Sequence, residues 1–158
     1  MRTRATRILD GLGIHYDLLE FDAEDYTAAE AAARLGLAPG QVLKTLVVRA
    51  DNGPIVIACV PGDADLDLRA LARLLGAKRA TLVDAGELMR LVGYIKGAVS
   101  PLGQRRAHQV FVDSSALRHA RISVSAGVRG LQLWMDPRDL VRATAARVEA
   151  LTGRPRGS

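Results

Sequence analysis

Apolar residues recur along the chain at two spacings, which predicts a mixture of helices and strands. Helices are predicted near residues 3–12, 27–36, 68–75 and 84–91, with a last helix starting at Asp136-Pro137. In the first helix, Ile8, Leu9 and Leu12 share one face. Strands are predicted near residues 14–21, 42–48, 55–60, 79–83, 109–112, 121–125 and 131–135.

Polar residues at the element boundaries support these assignments. Thr27 and Glu30 form a capping-box sequence, and Asp84 is placed to cap a short helix with help from Glu87. The turn residues 51–54 predict an antiparallel hairpin whose two strands are central in the sheet. Hairpin-like strands between irregularly spaced helices predict an α+β domain with a curved sheet or partial barrel.

The chain has 158 residues, a length that suits one hydrophobic core. We expect a single domain over residues 1–152 and a flexible tail over residues 153–158. No apolar run approaches the roughly 20 residues needed to cross a bilayer, so we expect a soluble, cytoplasmic protein without membrane contact. Cys59 is the only cysteine and lies in an apolar segment, which is typical of a buried small hydrophobe.

The formal net charge is +5, which makes a polyanion a reasonable partner, although it also suits a soluble surface. Aromatic residues make up 4% of the chain, too few for a base-stacking platform. His15, His108 and His119 match no metal-binding spacing, and G-x-S-x-G is absent. We therefore expect no metal site and no protein-derived serine triad.

Lys44 is the most unusual cation, because it lies in an otherwise apolar strand. Its ammonium needs a cleft, a carboxylate or an anionic ligand, unless the side chain simply points to solvent from an edge strand. The glycine-rich loop of residues 93–103 would let backbone amides approach a phosphate or an oxyanion. The turn of residues 125–130 would bring Ser125 and Arg129 to the same cleft; either segment is also compatible with a plain sharp turn.

Taken together, these segments resemble the YbaK/EbsC family of aminoacyl-tRNA deacylases, and the likeness spans nearly the whole chain. The resemblance rests on segments in a fixed order: residues 40–47 (GQVLKTLV), 66–68 (LDL), 75–78 (LGAK), 93–97 (GYIKG) and 100–104 (SPLGQ), Asp113, and residues 125–130 (SAGVRG).

The resemblance implies an α+β fold with a mixed, largely antiparallel, barrel-like sheet surrounded by helices. It implies a cleft for the aminoacylated terminal adenosine of a tRNA and no cofactor. Lys44 takes the central catalytic role, with Thr45, Gly97 and Ser125 lining the pocket and Tyr16 a looser match. Lys96, Arg105, Arg106 and Arg129 are candidates for phosphate contacts. We expect no DNA partner.

The function implied is trans-editing of Cys-tRNA(Pro), with Cys-tRNA(Cys) a further candidate substrate and prolyl-tRNA synthetase a candidate partner. In this route the cysteine thiol of the substrate attacks the ester. The usual T-G-Y-x-x-G-G run departs here at Val92 and Ala98, and residues 26–32 look closer to more distant members of the superfamily, which include domains that deacylate Ala-tRNA(Pro). Ala-tRNA(Pro) or another small misacylated residue is therefore an alternative, as is a noncatalytic tRNA-binding or synthetase-associated module.

Overall fold

The computed structural model of the protein describes residues 2–153. Its helices and strands follow the predicted order closely. The helices are α1 (Arg4–Gly11), α2 (Ala28–Leu35), α3 (Leu68–Leu74), α4 (Leu88–Val92) and α5 (Pro137–Thr144). The strands are β1 (Asp17–Glu20), β2 (Leu43–Ala50), β3 (Ile55–Pro61), β4 (Ala80–Leu82), β5 (Gln109–Asp113), β6 (Ile122–Ser125), β7 (Leu131–Met135) and β8 (Arg147–Glu149).

The strands form two sheets rather than a closed barrel. The larger sheet has the order β4-β2-β3-β5-β8, and the smaller has the order β1-β7-β6. Most strand pairs are antiparallel, whereas β5 runs parallel to both β3 and β8. An isolated parallel bridge between Val42 and Ser123 joins the two sheets. The predicted α+β class is confirmed. The two sheets together resemble a barrel only because this bridge connects them.

The larger sheet is covered on both faces because its central strands are apolar on both sides. One face packs against the smaller sheet, with Leu43 and Ile57 meeting Val124 and Leu133 in the main core. On the other face, Val48, Val56, Ala58 and Phe111 pack against Leu71 of α3. The hairpin of β2 and β3 is confirmed as the centre of the fold, since both strands are interior in the sheet order.

Local signals set the helix ends. The Thr27 side chain accepts a hydrogen bond from the Glu30 amide at 3.1 Å, and α2 ends at Gly36 in the left-handed conformation. Glu30 does not complete the capping box, because its carboxylate pairs with Arg34 at 2.7 Å. Helix α1 ends within one residue of the predicted end, with Leu12 as its C-cap; Ala5, Thr6 and Leu9 are its buried residues, whereas Leu12 is 55% exposed.

Asp84 precedes a 3-10 turn and α4, as predicted, but its side chain makes no capping hydrogen bond. The strand β8 was not predicted. It pairs with β5, so residues 147–149 belong to the larger sheet, and Thr152 bridges Leu66. The predicted tail of residues 153–158 lies outside the described residues except for Gly153.

No helix in residues 2–153 has the length and apolar character required to traverse a bilayer.

The Asp113 carboxylate, 2% exposed, ties the end of β5 to two other segments. It accepts hydrogen bonds from the Leu151 amide at 2.8 Å and from both the amide and the hydroxyl of Ser115. Removing it would leave buried donors without acceptors.

We predict that Asp113→Ala lowers the free energy of unfolding by about 3 kcal/mol, measured by urea denaturation.

The matched control for this prediction is Asp63→Ala, which removes an exposed carboxylate nearby. We expect its effect to stay within about 0.5 kcal/mol. Equal stabilities of the two variants would contradict the structural role assigned to Asp113.

Candidate active site

The cavity that we identify as the candidate site occupies a gap beside β2. One edge of β2 pairs with β3 along its length, while the other pairs with β4 only at Val48–Ala50. The Val83 amide adds a bond to the Val47 carbonyl at 2.9 Å, and Val42 bridges to β6. Between these contacts, no described strand covers the edge of residues 43–46.

The cavity measures about 470 Å³, within the usual range for small-ligand sites. Six separate stretches of the chain contribute to its lining. The lining residues are Tyr26, Thr27, Ala28, Leu43, Lys44, Thr45, Leu46, Val47, Leu82, Val83, Asp84, Ala85, Leu88, Lys96, Gly97, Val99, Ser125 and Gln132. Lys44, Thr45, Gly97 and Ser125 thus meet at one cavity.

Lys44 is half-buried and is among the residues that line this cavity. Within residues 2–153 it has no ion pair and no side-chain hydrogen bond, so its ammonium is available to a ligand. Lys96 is exposed at the same cavity, and Asp84 is the one carboxylate among the described lining residues. The lining therefore carries a net positive charge, which favours a ligand with an anionic or electron-rich oxygen.

Thr45 follows Lys44 and contacts the single cysteine. Its Oγ1 lies 3.9 Å from Sγ of Cys59, its cross-strand partner. Cys59 is 0% exposed, and burial raises the pKa of its thiol from the ordinary 9.0 to about 12. The thiol is held neutral and does not line the cavity, which makes it a core residue rather than a nucleophile.

Gly97 occupies a conformation that other residues rarely adopt, with φ of 86°. A Cβ at this position would lie 3.1 Å from Cβ of Tyr26 and 3.3 Å from Nε of Arg129. The Arg129 Nε donates to the Lys96 carbonyl at 2.9 Å, and its guanidinium lies over the Tyr26 ring. Glycine at this site lets the loop, Tyr26 and Arg129 approach one another.

Arg129 lines an adjoining depression of about 240 Å³ rather than the main cavity. The two share Tyr26, Thr27, Lys96 and Gly97, so they are continuous. Glu24 and Asp25 also line the depression, which makes it mixed in charge.

Ser125 lies at the end of β6, where the turn of residues 126–130 begins. Its Oγ accepts a hydrogen bond from the Gly127 amide at 3.1 Å. Gly130 is required for this turn, because a Cβ there would lie 2.6 Å from the Phe21 carbonyl oxygen. The turn holds Ser125 at the cavity wall, with an exposure of 9%.

Tyr16 is not among the residues that line the cavity. It precedes β1, the outer strand of the smaller sheet, and its hydroxyl donates to Asp10 at 2.8 Å. The pKa of Tyr16 is raised, first by burial and then by this hydrogen bond. Arg105 and Arg106 are exposed and do not line the cavity either.

Among the lining residues that were not predicted as site residues, Tyr26, Asp84 and Gln132 have side chains that could contact a ligand through a polar atom. Gln132 follows the turn of residues 125–130, Tyr26 directly precedes the capping residue Thr27, and Asp84 had been assigned to helix capping. Of the three, Tyr26 carried a sequence signal, since it is the first residue of the segment 26–32 that looks closer to more distant members of the superfamily. An isolated Gln in a strand carries none.

No group of three or more His, Cys, Asp or Glu residues in the described part of the chain is arranged to hold a metal ion. His15 lies 4.0 Å from the Asp17 carboxylate, and His108 contacts the Leu91 carbonyl at 3.2 Å. Neither lines the cavity.

The two-sheet α+β fold is shared with solved proteins. A crystal structure of a candidate trans-editing enzyme for prolyl-tRNA synthetase matches with a TM-score of 0.84 at 27% identity, covering 97% of this chain and 99% of that one. A crystal structure of a hypothetical protein matches with a TM-score of 0.89 at 29% identity, covering 96% and 100%.

The family model for the aminoacyl-tRNA editing domain matches residues 22–143. The chain is also 32% identical over 153 residues to EbsC of Enterococcus faecalis, named as a candidate Cys-tRNA(Pro)/Cys-tRNA(Cys) deacylase. That match covers 96% of this chain and 93% of the relative. The chain belongs to the aminoacyl-tRNA editing domain family, which confirms the predicted resemblance.

The buried state of Cys59 predicts its reactivity. Only the thiolate reacts with alkylating reagents, so at pH 8 the folded protein should resist iodoacetamide while the urea-unfolded chain reacts readily. Because folding raises the pKa of this thiol, its contribution to stability is complete below pH 9 and declines as pH rises toward 12. Mass spectrometry measures the extent of alkylation. Rapid labelling of Cys59 without urea would contradict the prediction that the folded protein protects this thiol.

Proposed function

We propose that the protein is an aminoacyl-tRNA deacylase that edits Cys-tRNA(Pro), with Cys-tRNA(Cys) as a further substrate. The observation that carries this proposal is the unpaired Lys44 ammonium, which lies in a cavity whose described lining includes no His or Cys. Such a site binds and polarises an ester without supplying a strong nucleophile. Family membership and the likeness to EbsC support the same reaction.

The substrate supplies the missing nucleophile in this mechanism. The cysteine sulfur attacks the ester carbonyl carbon, forming a C–S bond and placing a negative charge on the carbonyl oxygen. The bond to the ribose oxygen then breaks, the ribose oxygen takes the proton lost by the thiol, and water later opens the thiolactone. The protein contributes orientation and charge placement, which are worth several orders of magnitude in rate.

Each lining residue has a role in this scheme. Lys44 binds the terminal nucleotide or an ester oxygen by its charge, and Thr45 steadies the ribose end. Gly97 brings loop backbone close to the ester, and Ser125 positions it. Arg129 lies in the adjoining depression, where together with exposed Lys96 it is placed to meet a phosphate.

Ala-tRNA(Pro) remains the second candidate substrate because of the apolar part of the lining. The apolar surface of Leu46, Val83 and Leu88 suits the methyl side chain of alanine as well as it suits the thiol side chain of cysteine. A hydrophobic pocket discriminates between such similar side chains by only about 1–3 kcal/mol. The noncatalytic alternative predicts tRNA binding without faster ester hydrolysis.

The cavity is too small to read a whole tRNA, so the polynucleotide must be recognised outside it. Exposed Lys96, Arg105, Arg106 and Arg129 are available for phosphate contacts. We propose that the chain works as a single domain in the cytoplasm and that prolyl-tRNA synthetase presents the tRNA to it.

The central role of Lys44 predicts the effect of its removal. We expect Lys44→Ala to lower the deacylation rate on Cys-tRNA(Pro) by at least about 100-fold, since it removes the main electrostatic contact with the substrate. Lys78→Ala is the matched control: it removes the same charge from an exposed site away from the cavity and should leave the rate unchanged.

The measurement is release of labelled cysteine under single-turnover conditions, with circular dichroism to verify folding. Folded Lys44→Ala at the wild-type rate would contradict the role of Lys44. A panel of Cys-tRNA(Pro), Cys-tRNA(Cys) and Ala-tRNA(Pro) tests the substrate. Wild-type protein that binds tRNA but accelerates none of these hydrolyses would replace the enzyme proposal with the noncatalytic one.

A further inference from the structure

Two polar side chains lie next to each other on one wall of the cavity. Ser125 in β6 and Gln132 in β7 are directly paired in the antiparallel register. Opposed residues of this kind hold their Cβ atoms about 4.5–5.5 Å apart on the same face of the sheet. Both line the cavity, and both are nearly buried, with exposures of 9% and 8%.

The orientation of the Gln132 amide is set by a buried neighbour. The Ser123 hydroxyl, 0% exposed, donates to Oε1 of Gln132 at 2.7 Å. The reverse orientation would leave the buried hydroxyl hydrogen without an acceptor in the described part of the chain. The amide NH₂ group therefore faces the cavity, where no described residue accepts its hydrogen bonds.

Ser125 is oriented in the same way. Its Oγ already accepts the hydrogen bond of the Gly127 amide at 3.1 Å. Its own hydrogen has no acceptor within residues 2–153, so it is available to a ligand. In both side chains, therefore, the oxygen already accepts a hydrogen bond from within the protein, and the donor is left available to a ligand in the cavity.

We propose that Ser125 and Gln132 form a two-donor site for the carbonyl oxygen of the aminoacyl ester, an inference that rests on the proposed function. This oxygen takes up the electron pair of the C=O bond when the carbonyl carbon is attacked, and returns it when the bond to ribose breaks. Preorganised donors stabilise that charge without reorganisation. Lys44 is then free to hold the nucleotide.

The chemistry of the pair suits this oxygen better than it suits the α-ammonium group or the amino-acid side chain of the substrate. Two adjacent donors repel the α-ammonium group, which is itself a donor, and they offer nothing to an apolar side chain. A developing oxyanion has lone pairs for both donors. Gln132 is therefore assigned as a catalytic residue, and Ser123 as the positioning residue that sets its amide.

The test uses Gln132→Met, which keeps the chain length and removes the donor. We expect kcat to fall by about 100- to 1000-fold with KM changed little, since the contact strengthens only in the transition state. Gln109→Met, on the exposed start of β5, is the matched control and should leave kcat unchanged. Thermal melting verifies that each variant folds.

Two further variants separate catalysis from a structural effect. Gln132→Glu should be slow near neutral pH, and its rate relative to wild type should rise as pH falls toward the ordinary glutamate pKa of about 4.3. The protonated carboxyl regains a donor, whereas Gln132→Met cannot. Ser125→Ala should also lower kcat, and the double variant should lose less than the product of the single losses, because both donors serve one atom.

The outcomes are distinguishable. Wild-type kcat in folded Gln132→Met, or a loss confined to KM, would overturn the two-donor site while leaving the deacylase proposal intact. Should Gln132→Met not fold, wild-type kcat in Ser125→Ala together with no acid recovery in Gln132→Glu would overturn it equally. Wild-type protein inactive on every aminoacyl-tRNA in the panel would overturn both proposals.

Discussion

The partial pairing of β2 is the constraint on which the site depends. Hydrogen bonds alternate along this strand: the Val42 carbonyl accepts from Gly62 on the β3 side, while the Val47 carbonyl accepts from Val83 on the opposite side. By this alternation, the backbone of Thr45 faces the gap rather than β3. Backbone groups in such a position need water or a ligand, and the cavity lies where either can reach them.

The polar groups around this gap differ in charge and in role from one side of the cavity to another. Cations lie at β2 and at the glycine loop, a pair of neutral donors lies across β6 and β7, and the single carboxylate among the described lining residues, Asp84, follows β4. The nearby thiol of Cys59 is kept neutral within the core. This arrangement suits a ligand that brings its own reactive group and needs the protein to hold its charges in place.

The sequence predicted most of the fold because local patterns determine most of it. The hairpin of β2 and β3, the Thr27 cap of α2 and the Asp136 cap of α5, whose carboxylate accepts from the Arg138 amide, follow from short-range chemistry. Strand β8 was missed because Arg147–Glu149 is three residues long and forms only by pairing with β5, distant in sequence. Likewise, Lys44 was recognisable as a cation in an apolar strand, whereas Gln132 gains its importance only from Ser123 and Ser125 across the sheet. Tyr16 was placed by a loose match, and its hydroxyl is occupied by Asp10.

The six stretches of the chain that line the cavity are spread along the sequence, from Tyr26 to Gln132. The central hairpin can form from local contacts, but the cavity exists only after β6 and β7 have docked beside it. Long-range contacts of this kind form late in folding. Activity would therefore report the completion of folding more faithfully than secondary-structure content does, and an incompletely docked chain would retain its strands while being unable to act on an ester.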